Sequence, residues 1–419
     1  MHISIIAYGT WGDVRPSIAL GLALKEAGYG VRLIVAEDFA GWVNDTGLDI
    51  HLLPVNKFEV MKQVSSKTNP LKVPFAIYQK IAPALLRAGQ DLLAVAEHTD
   101  AFLVNEWLLG IASGIAEVHH LKLVNLAKQP SIRTHAMPIS TMPALPQWAP
   151  FRKTYNWLSY DLSHYLRWFS YVRQGNLLRK TLLKIAPLSP MGYLDLLDRT
   201  PSITLISRCV MARPTDWQDQ HRLTGFLYYD DEDWRPPAEL EDFIQAGEAP
   251  VYVGFGSMHD DNPDETTRSI LEALECTHRR AVLYKGWANL GQTHLPDSVY
   301  MLDYAPHSWL FPRMAAVVHH AGAGTSAAAL RAGVPSVPIP HSGDQPFWAS
   351  RLYQIGAGTK PLPRNQLNAV DLAERITGAV QDSKLRSRAV DLGTWISSED
   401  SAGWTVSAIN DILQTNWSC

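Results

Sequence analysis

The sequence predicts an α/β protein of two domains, each a doubly wound parallel sheet, facing one another across a cleft. Three observations carry this reading. The chain has 419 residues, more than one hydrophobic core normally serves. Strand-like and helix-like runs alternate in both halves, the order that gives parallel sheets covered by helices on both faces. An acidic, proline-containing stretch, "GFLYYDDEDWRPPAELEDFIQAGEAP", separates the two series and reads as a linker.

Each element follows from local chemistry. Residues 3–8 form a β-rich apolar run, residues 9–14 read as a turn, and Pro16 suits a first helical position. "PSIALGLALKEAG" carries a helical pattern ending at Gly28, and "VRLIVA" is a second strand. Strand, turn, helix and strand in so few residues make a βαβ crossover. "DAFLVNE" and "LKLVNLA" are further strands around a helix at about 108–118. Residues 142–185 are dense in Trp, Tyr and Phe and read as helical, after which "SITLISRCV" returns to strand. The second series runs through strand "VYVGFGSM", a helix near 265–276, strands "AVLYKG", "VYMLDYA" and "AAVVHH", a helix after Gly324, and strand "VPSVPI". The tail "AGWTVSAINDILQTNW" is an amphipathic helix with no strand after it. The boundaries expected are 1–225 for the first domain, 226–247 for the linker, 248–395 for the second domain and 396–419 for a terminal helix.

Composition narrows the function. Apolar residues make up 46% and charged residues 19%, which suits a folded domain and argues against disorder. The net charge is −4 without a Lys/Arg cluster, so nucleic acid is not an expected partner. Three scattered cysteines, Cys209, Cys276 and Cys419, offer no disulfide framework or metal spacing and fit a reducing cytoplasm. No signal peptide or long apolar run marks a secreted or membrane-spanning chain.

Two glycine turns hold the candidate chemistry. "AYGTWGDV" lacks the spacing of a dinucleotide fingerprint, and Asp13 would repel a pyrophosphate at that helix start. Asp13 therefore reads either as a helix cap or as a general base at the end of the first strand. "VVHHAGAGTSAAALRAG" is the better anion site. His320 ends a strand, small residues let amides approach a ligand, and no acid stands in the turn. One strand later, Asp344 and Gln345 form a carboxylate–amide pair suited to vicinal hydroxyls, beside a phosphate held at the glycine turn. Asp231, Glu232 and Asp233 form an acidic run that reads as solvated charge, and no metal site is expected.

These motifs, with "GTWGDVRP", "KGWANLG" and "LPDSVYMLDYAPHSWLFPR", resemble the nucleotide-sugar-dependent glycosyltransferases of family 1, in the sterol 3-β-glucosyltransferase branch and its bacterial natural-product relatives. The resemblance runs from the first strand to about Pro363. It implies a GT-B architecture of two Rossmann-like domains, an inverting displacement without bound metal or cofactor, and a C-terminal helix returning to the N-domain. His320, Gly322, Gly324 and Thr325 resemble the diphosphate site, and Asp344 and Gln345 the sugar-hydroxyl pair. Ser257 resembles a residue near the phosphates. Tyr304 and His307 stand where relatives contact the nucleobase, and Trp287 is another stacking face. Asp13 occupies the catalytic-base position. Trp11 replaces an Arg or small polar residue and is expected to shape the acceptor mouth. Ala321 replaces a common glycine, a mild change.

The implied donor is UDP-glucose, with a TDP-sugar as the alternative, and the implied acceptor is hydrophobic, such as a sterol, or else a macrolide, polyphenol or other natural product. Trp148 and Trp157, with Tyr160, Trp168 and Phe169, line the acceptor pocket in one reading and form core in the other. Lys and Arg interleaved with these aromatics are compatible with a weak peripheral membrane contact. A nucleotide-sugar epimerase and a non-catalytic nucleotide-sugar sensor are the readings of other classes. The first needs no acceptor pocket and the second no carboxylate at position 13.

Overall fold

The computed structural model describes residues 1–54, 87–258, 260, 262–291 and 294–415. Cys419 lies outside them. The chain divides into two units, Met1–Tyr229 with Asp400–Cys419, and Asp230–Glu399.

Unit 1 is built on a seven-stranded sheet in the order β3-β2-β1-β4-β5-β6-β7. Its strands are β1 (His2–Ala7), β2 (Gly30–Ala36), β3 (Asp49–Leu53), β4 (Ala101–Val104), β5 (Lys122–Ala127), β6 (Ser202–Thr204) and β7 (His221–Leu223). Every pairing is parallel, with Ile3 opposite Val31 on one side and Ala101 on the other. The central strands read as unbroken apolar runs because both faces are covered. Ile3, Ile5 and Ala7 pack with Val14, Ile18 and Leu24 of the first helix, whereas Ile6 packs on the other face with Val104 and Leu109.

The C-terminal helix Ser401–Gln414 belongs to unit 1. Ile409, Ile412 and Leu413 enter the same cluster as Ile18 and Leu24. The hydroxyl of Tyr29 donates to Asn410 at 2.9 Å, and Thr405 donates to Thr224 at 2.8 Å.

Unit 2 carries a five-stranded parallel sheet in the order β10-β9-β8-β11-β12. The strands are β8 (Val251–Gly254), β9 (Ala281–Tyr284), β10 (Val299–Leu302), β11 (Ala316–His319) and β12 (Ser336–Pro338). In both units the strand order reverses beside the first strand, between β1 and β4 and between β8 and β11. Ligands of open α/β sheets bind at the carboxyl ends of strands flanking such a reversal.

Several elements differ from the sequence reading. The first helix is Trp11–Glu26, so Gly12, Asp13 and Val14 are helical and Pro16 lies inside. Thr10 and Asp13 form a reciprocal cap that starts the helix before the proline. The helix after β11 likewise starts early, at Ala323, which puts Gly324 and Thr325 in its first turn and makes Gly322 its cap. Residues 142–151 are not helical, because Pro143, Pro146 and Pro150 interrupt them. Only Ser202–Thr204 of "SITLISRCV" is strand. Edge strands β3 and β7 lie outside the sequence reading: β7 has one apolar residue in three, and β3, although it holds Ile50, Leu52 and Leu53, is short and buries only Leu53. Within 226–247, Ala238–Gln245 is a helix, and its Leu240 is buried in the core of unit 2.

Candidate active site

In unit 1 the site begins with a helix start. Oδ2 of Asp13 accepts from the Thr10 amide at 2.6 Å and from the Thr10 hydroxyl at 3.3 Å. The carboxylate lies over Gly9, where a Cβ would stand 1.9 Å from Oδ2, so only glycine leaves room. From the end of β5, Lys128 Nζ donates to Oδ1 at 2.9 Å. Both side chains are largely buried, which makes this pair stronger than an exposed one. Asp13 is thus a helix cap, as one sequence reading has it, and also a carboxylate paired with Lys128.

The next residue on the β5 loop holds a second network. The Gln129 amide donates to Glu106 Oε1 at 2.6 Å, and Gln129 accepts from Ser140 at 2.8 Å. Arg167 pairs with Glu106 Oε2 at 2.7 Å, and both side chains are buried. Burial opposes the charge of Arg167, but Glu106 and then Tyr193 outweigh it, so its pKa is raised. Beside it, His164 is pushed down to about 3, by burial first and by the positive Arg167 second. Its Nε2 lies 2.9 Å from the Ser131 carbonyl. Lys128, Glu106 and Gln129 escaped the sequence reading, although "VNE" and "NLAKQ" do place polar residues at two strand ends.

The expected acceptor aromatics scatter. Trp11 packs edge-on against Phe39 and Trp42 with centroids 5.1 and 4.9 Å away, and Arg15 sits over its ring at 5.2 Å. Trp157 spends its ring faces on His135, stacked at 4.7 Å, and on Arg133 at 4.9 Å. Tyr160 is fully buried in core, whereas Trp148 stands 83% exposed on an irregular segment.

In unit 2 the focus is His320, one residue past β11. Its ring packs between two glycines. A Cβ at Gly256 would lie 2.9 Å from Cε1, and one at Gly322 would lie 2.4 Å from Nε2. Gly256 also has φ +59, a conformation natural to glycine. Ala321 shares that φ of +59 without being glycine, so the replacement is a strained one rather than mild. The Ala321 amide donates to His319 Nδ1 at 3.2 Å.

Three histidines here are held neutral by their surroundings. His320 falls to about 3, through burial and then His341, and His341 to about 4, through burial and then Arg364. His319, wholly buried, lies well below its usual range for the same leading reason, with His320 adding to it. His319 Nε2, His320 Nδ1 and His341 Nε2 are buried with no hydrogen-bond partner among the described residues. Buried polar atoms seldom stay unpaired, so such a cluster points to a bound group or water.

The remaining predicted residues lie around this turn. Gly322 caps the helix Ala323–Arg331, no side chain caps it in return, and Gly324 and Thr325 open it. Ser257 follows Gly256 in the β8 turn. The Trp287 amide donates to the Gly256 carbonyl at 3.1 Å, joining the β9 turn to the β8 turn, and its ring is 40% exposed. Gln345 is buried and already engaged. Its Oε1 accepts from the His341 and Ser342 amides at 2.7 and 3.1 Å, and its Nε2 donates to Met258 Sδ at 3.1 Å. Asp344 accepts from Trp348 Nε1 at 3.1 Å. His307 stacks on Phe311 at 4.2 Å, and Tyr304 meets Trp234 edge-on at 6.5 Å. Asp260 accepts from Arg364 in a fork at 2.8–3.0 Å and from Thr266 at 2.9 Å. The acidic run 231–233 is exposed.

Comparison with known proteins fits this division. Residues 3–138 match the glycosyltransferase family 28 N-terminal domain, and residues 282–405 match the erythromycin biosynthesis protein CIII-like C-terminal domain. Two sterol 3-β-glucosyltransferases of Arabidopsis thaliana are 32% and 30% identical over 97% and 98% of this chain. The chain spans 65% and 68% of their respective lengths. Among solved structures, the kitacinnamycin glycotransferase superposes with a TM-score of 0.71 at 17% identity, covering 98% of both chains. A glycosyltransferase from Streptomyces sp. SF2575, complexed with thymidine diphosphate, gives 0.64 at 18% identity, covering 98% of this chain and 99% of that one. The chain belongs to the nucleotide-sugar-dependent family 1 glycosyltransferases of GT-B fold.

Proposed function

We propose that the protein transfers glucose, with inversion, from UDP-glucose to the hydroxyl of a sterol. Unit 1 is the acceptor-binding half and unit 2 the donor-binding half. The observation that carries the donor side is the trio of unpartnered histidine nitrogens beside an uncapped helix start in unit 2. The sterol acceptor rests on likeness to the plant enzymes, whose names state that activity.

In this reading Asp13 takes the acceptor proton. Thr10 and Lys128 hold its two oxygens from two sides, which fixes the carboxylate's orientation. The acceptor oxygen forms a bond to the anomeric carbon while the bond from that carbon to the diphosphate oxygen breaks. The electron pair leaves with the nucleoside diphosphate. The first-turn amides of Ala323–Arg331 and one N–H of neutral His320 stabilise that leaving charge. Asp344 is the sugar-hydroxyl ligand. Gln345 supports it indirectly, since its side chain already holds the loop at His341. Ser257 lies with the phosphates, and Trp287, Tyr304 and His307 with the base. The reaction requires no metal in this scheme, and the protein acts in the cytoplasm.

A TDP-sugar and a bacterial natural-product acceptor form the second reading, favoured by the fold neighbour that holds thymidine diphosphate. Incubation with UDP- or TDP-glucose, with and without cholesterol or a polyphenol, read by mass spectrometry, separates the two. Steryl glucoside from UDP-glucose, undiminished by a chelator, is expected. An epimerised sugar, or nucleotide sugar bound but never consumed, would overturn the transferase reading.

A further inference from the structure

The helix Arg152–Arg167 is built inside out. Its buried residues are polar: Asn156, Ser159, His164 and Arg167, with Tyr160 among them. Each polar one has work on the inner side. Asn156 donates to the His135 carbonyl at 2.9 Å, and the Ile139 amide donates to Ser159 at 3.0 Å. His164 faces the Ser131 carbonyl, and Arg167 pairs with Glu106. Three leucines and a tyrosine point the other way. Leu158, Leu162, Tyr165 and Leu166, at positions i, i+4, i+7 and i+8, are 46–55% exposed. A surface helix of a water-soluble domain normally shows the reverse pattern. Isolated exposed leucines need no explanation, but a contiguous stripe does.

Charge says what meets this stripe. From Leu162 to Leu194 the sequence has no Asp or Glu but five Lys and Arg. Arg167 and Arg179 are buried against Glu106 and Glu117. Arg173, Lys180 and Lys184 are exposed, alongside Leu177. An exposed apolar stripe continued by cations, with no acid in that span, complements an anionic lipid surface, where apolar burial and Coulomb attraction add.

We propose that this helix face docks unit 1 on an anionic bilayer. Arg167 on the inner side touches Glu106 at the end of β4, so a bilayer on the outer side lies about one helix diameter, roughly 10 Å, from the acceptor half of the site. That last step rests on the function proposed above, because a sterol is drawn from such a bilayer. The docking itself does not.

Flotation of the full chain with phosphatidylcholine vesicles, with and without phosphatidylserine, tests it. Binding is expected only with phosphatidylserine, and it should weaken as salt rises. Leu158→Glu/Leu162→Glu and, separately, Lys180→Glu/Lys184→Glu should each cut the bound fraction about tenfold, with an unchanged melting temperature. Turnover of detergent-dispersed sterol should persist in both, while turnover of vesicle-borne sterol falls. Asp13→Asn should float like the parent, so a failed function leaves docking readable. Three results overturn the proposal: no binding by the parent, binding by either double variant as strong as the parent's, or a parent dimer that the leucine variant splits, which would assign the stripe to a second copy of this chain.

Discussion

The turns Gly9–Asp13 and Ala321–Thr325 occupy the same place in two similar sheets, yet they satisfy their helix starts in opposite ways. In unit 1 the helix brings its own anion. Asp13 reaches back to the Thr10 amide, and Lys128 neutralises it from β5. In unit 2 no side chain caps the helix, no acid stands in the turn, and neutral histidines surround it. The first start has a carboxylate held in place by protein donors, the arrangement a positioned base needs. The second leaves its first-turn amides without a side-chain cap beside unpartnered imidazole nitrogens, the arrangement that the proposed diphosphate site requires. In the proposed function the difference between the turns is one acidic residue: with it the turn suits acid–base chemistry, without it anion binding.

The sharpest way to break this comparison is to remove the charge from the first turn. Asp13→Asn should lower turnover about a thousandfold or more while nucleotide binding, measured by calorimetry, stays unchanged. Loss of a cap and of a largely buried pair should cost about 1 kcal/mol of stability, visible as a small drop in denaturation midpoint. Full turnover in this variant would remove Asp13 from the chemistry and leave it a cap.

The same substitution in both turns should then fail in two different ways. Gly9→Ala puts a Cβ onto the Asp13 carboxylate and should lower kcat about a hundredfold with donor KM unchanged. Gly322→Ala puts one onto His320 and should raise the donor Kd about ten- to a hundredfold, with kcat at saturating donor much less affected. If both variants lost the same parameter, the assigned division of roles would fall.

Much of this was legible in sequence, for stated reasons. β1, β2, β4, β5, β8 and β11 are covered on both faces, so they read as apolar runs, while three-residue β7 offers only His221, Arg222 and Leu223. The pattern Thr10-x-x-Asp13 is a local capping signature that competes with Pro16 as a helix start, and in the structure the cap prevails. Asp13 and His320 could be found because each lies in its own turn. Lys128 could not, since it lies 115 residues from the carboxylate it holds, and only the order of β1, β4 and β5 brings them together. The same holds for Gly256, whose tight fit to His320 depends on β8 lying beside β11. The aromatic segment stayed open between pocket and core because its sequence shows which residues are apolar and not which face is buried. In the helix Arg152–Arg167 the buried face is the polar one.

A smaller effect sharpens the first turn alone. Lys128→Met should lower kcat about tenfold by freeing one carboxylate oxygen, with donor KM nearly unmoved and a small drop in melting temperature from the lost pair. Lys128→Arg should restore part of the loss. A fall in stability without a change in kcat would make Lys128 a structural residue.

The weakest expected effect concerns the second turn and pH. His320 titrates at about 3 in the folded protein, so it is already neutral at pH 8 and still neutral at pH 6. An anion bound beside it raises that value, and binding then couples to proton uptake. Any pH dependence must therefore be a tightening as pH falls, and it stays below about twofold unless the bound value climbs past 6. A cationic His320, with an ordinary value near 6.5, would instead tighten UDP-glucose binding several-fold over the same interval. UDP-glucose suits the measurement because its diphosphate, esterified at both ends, does not itself titrate there. Stability moves the other way. Unfolding exposes His320 and His341 to their ordinary values, so the unfolded chain takes up protons first. Stability is whole above about 6.5 and falls as pH drops toward 4, at about 1 kcal/mol for buried His320 by pH 5.5. Calorimetric titrations at pH 8 and 6, where the fold persists, would show a flat affinity if His320 donates as a neutral ring. A steep acid-side gain would make it a cation and erase the difference in charge between the two turns.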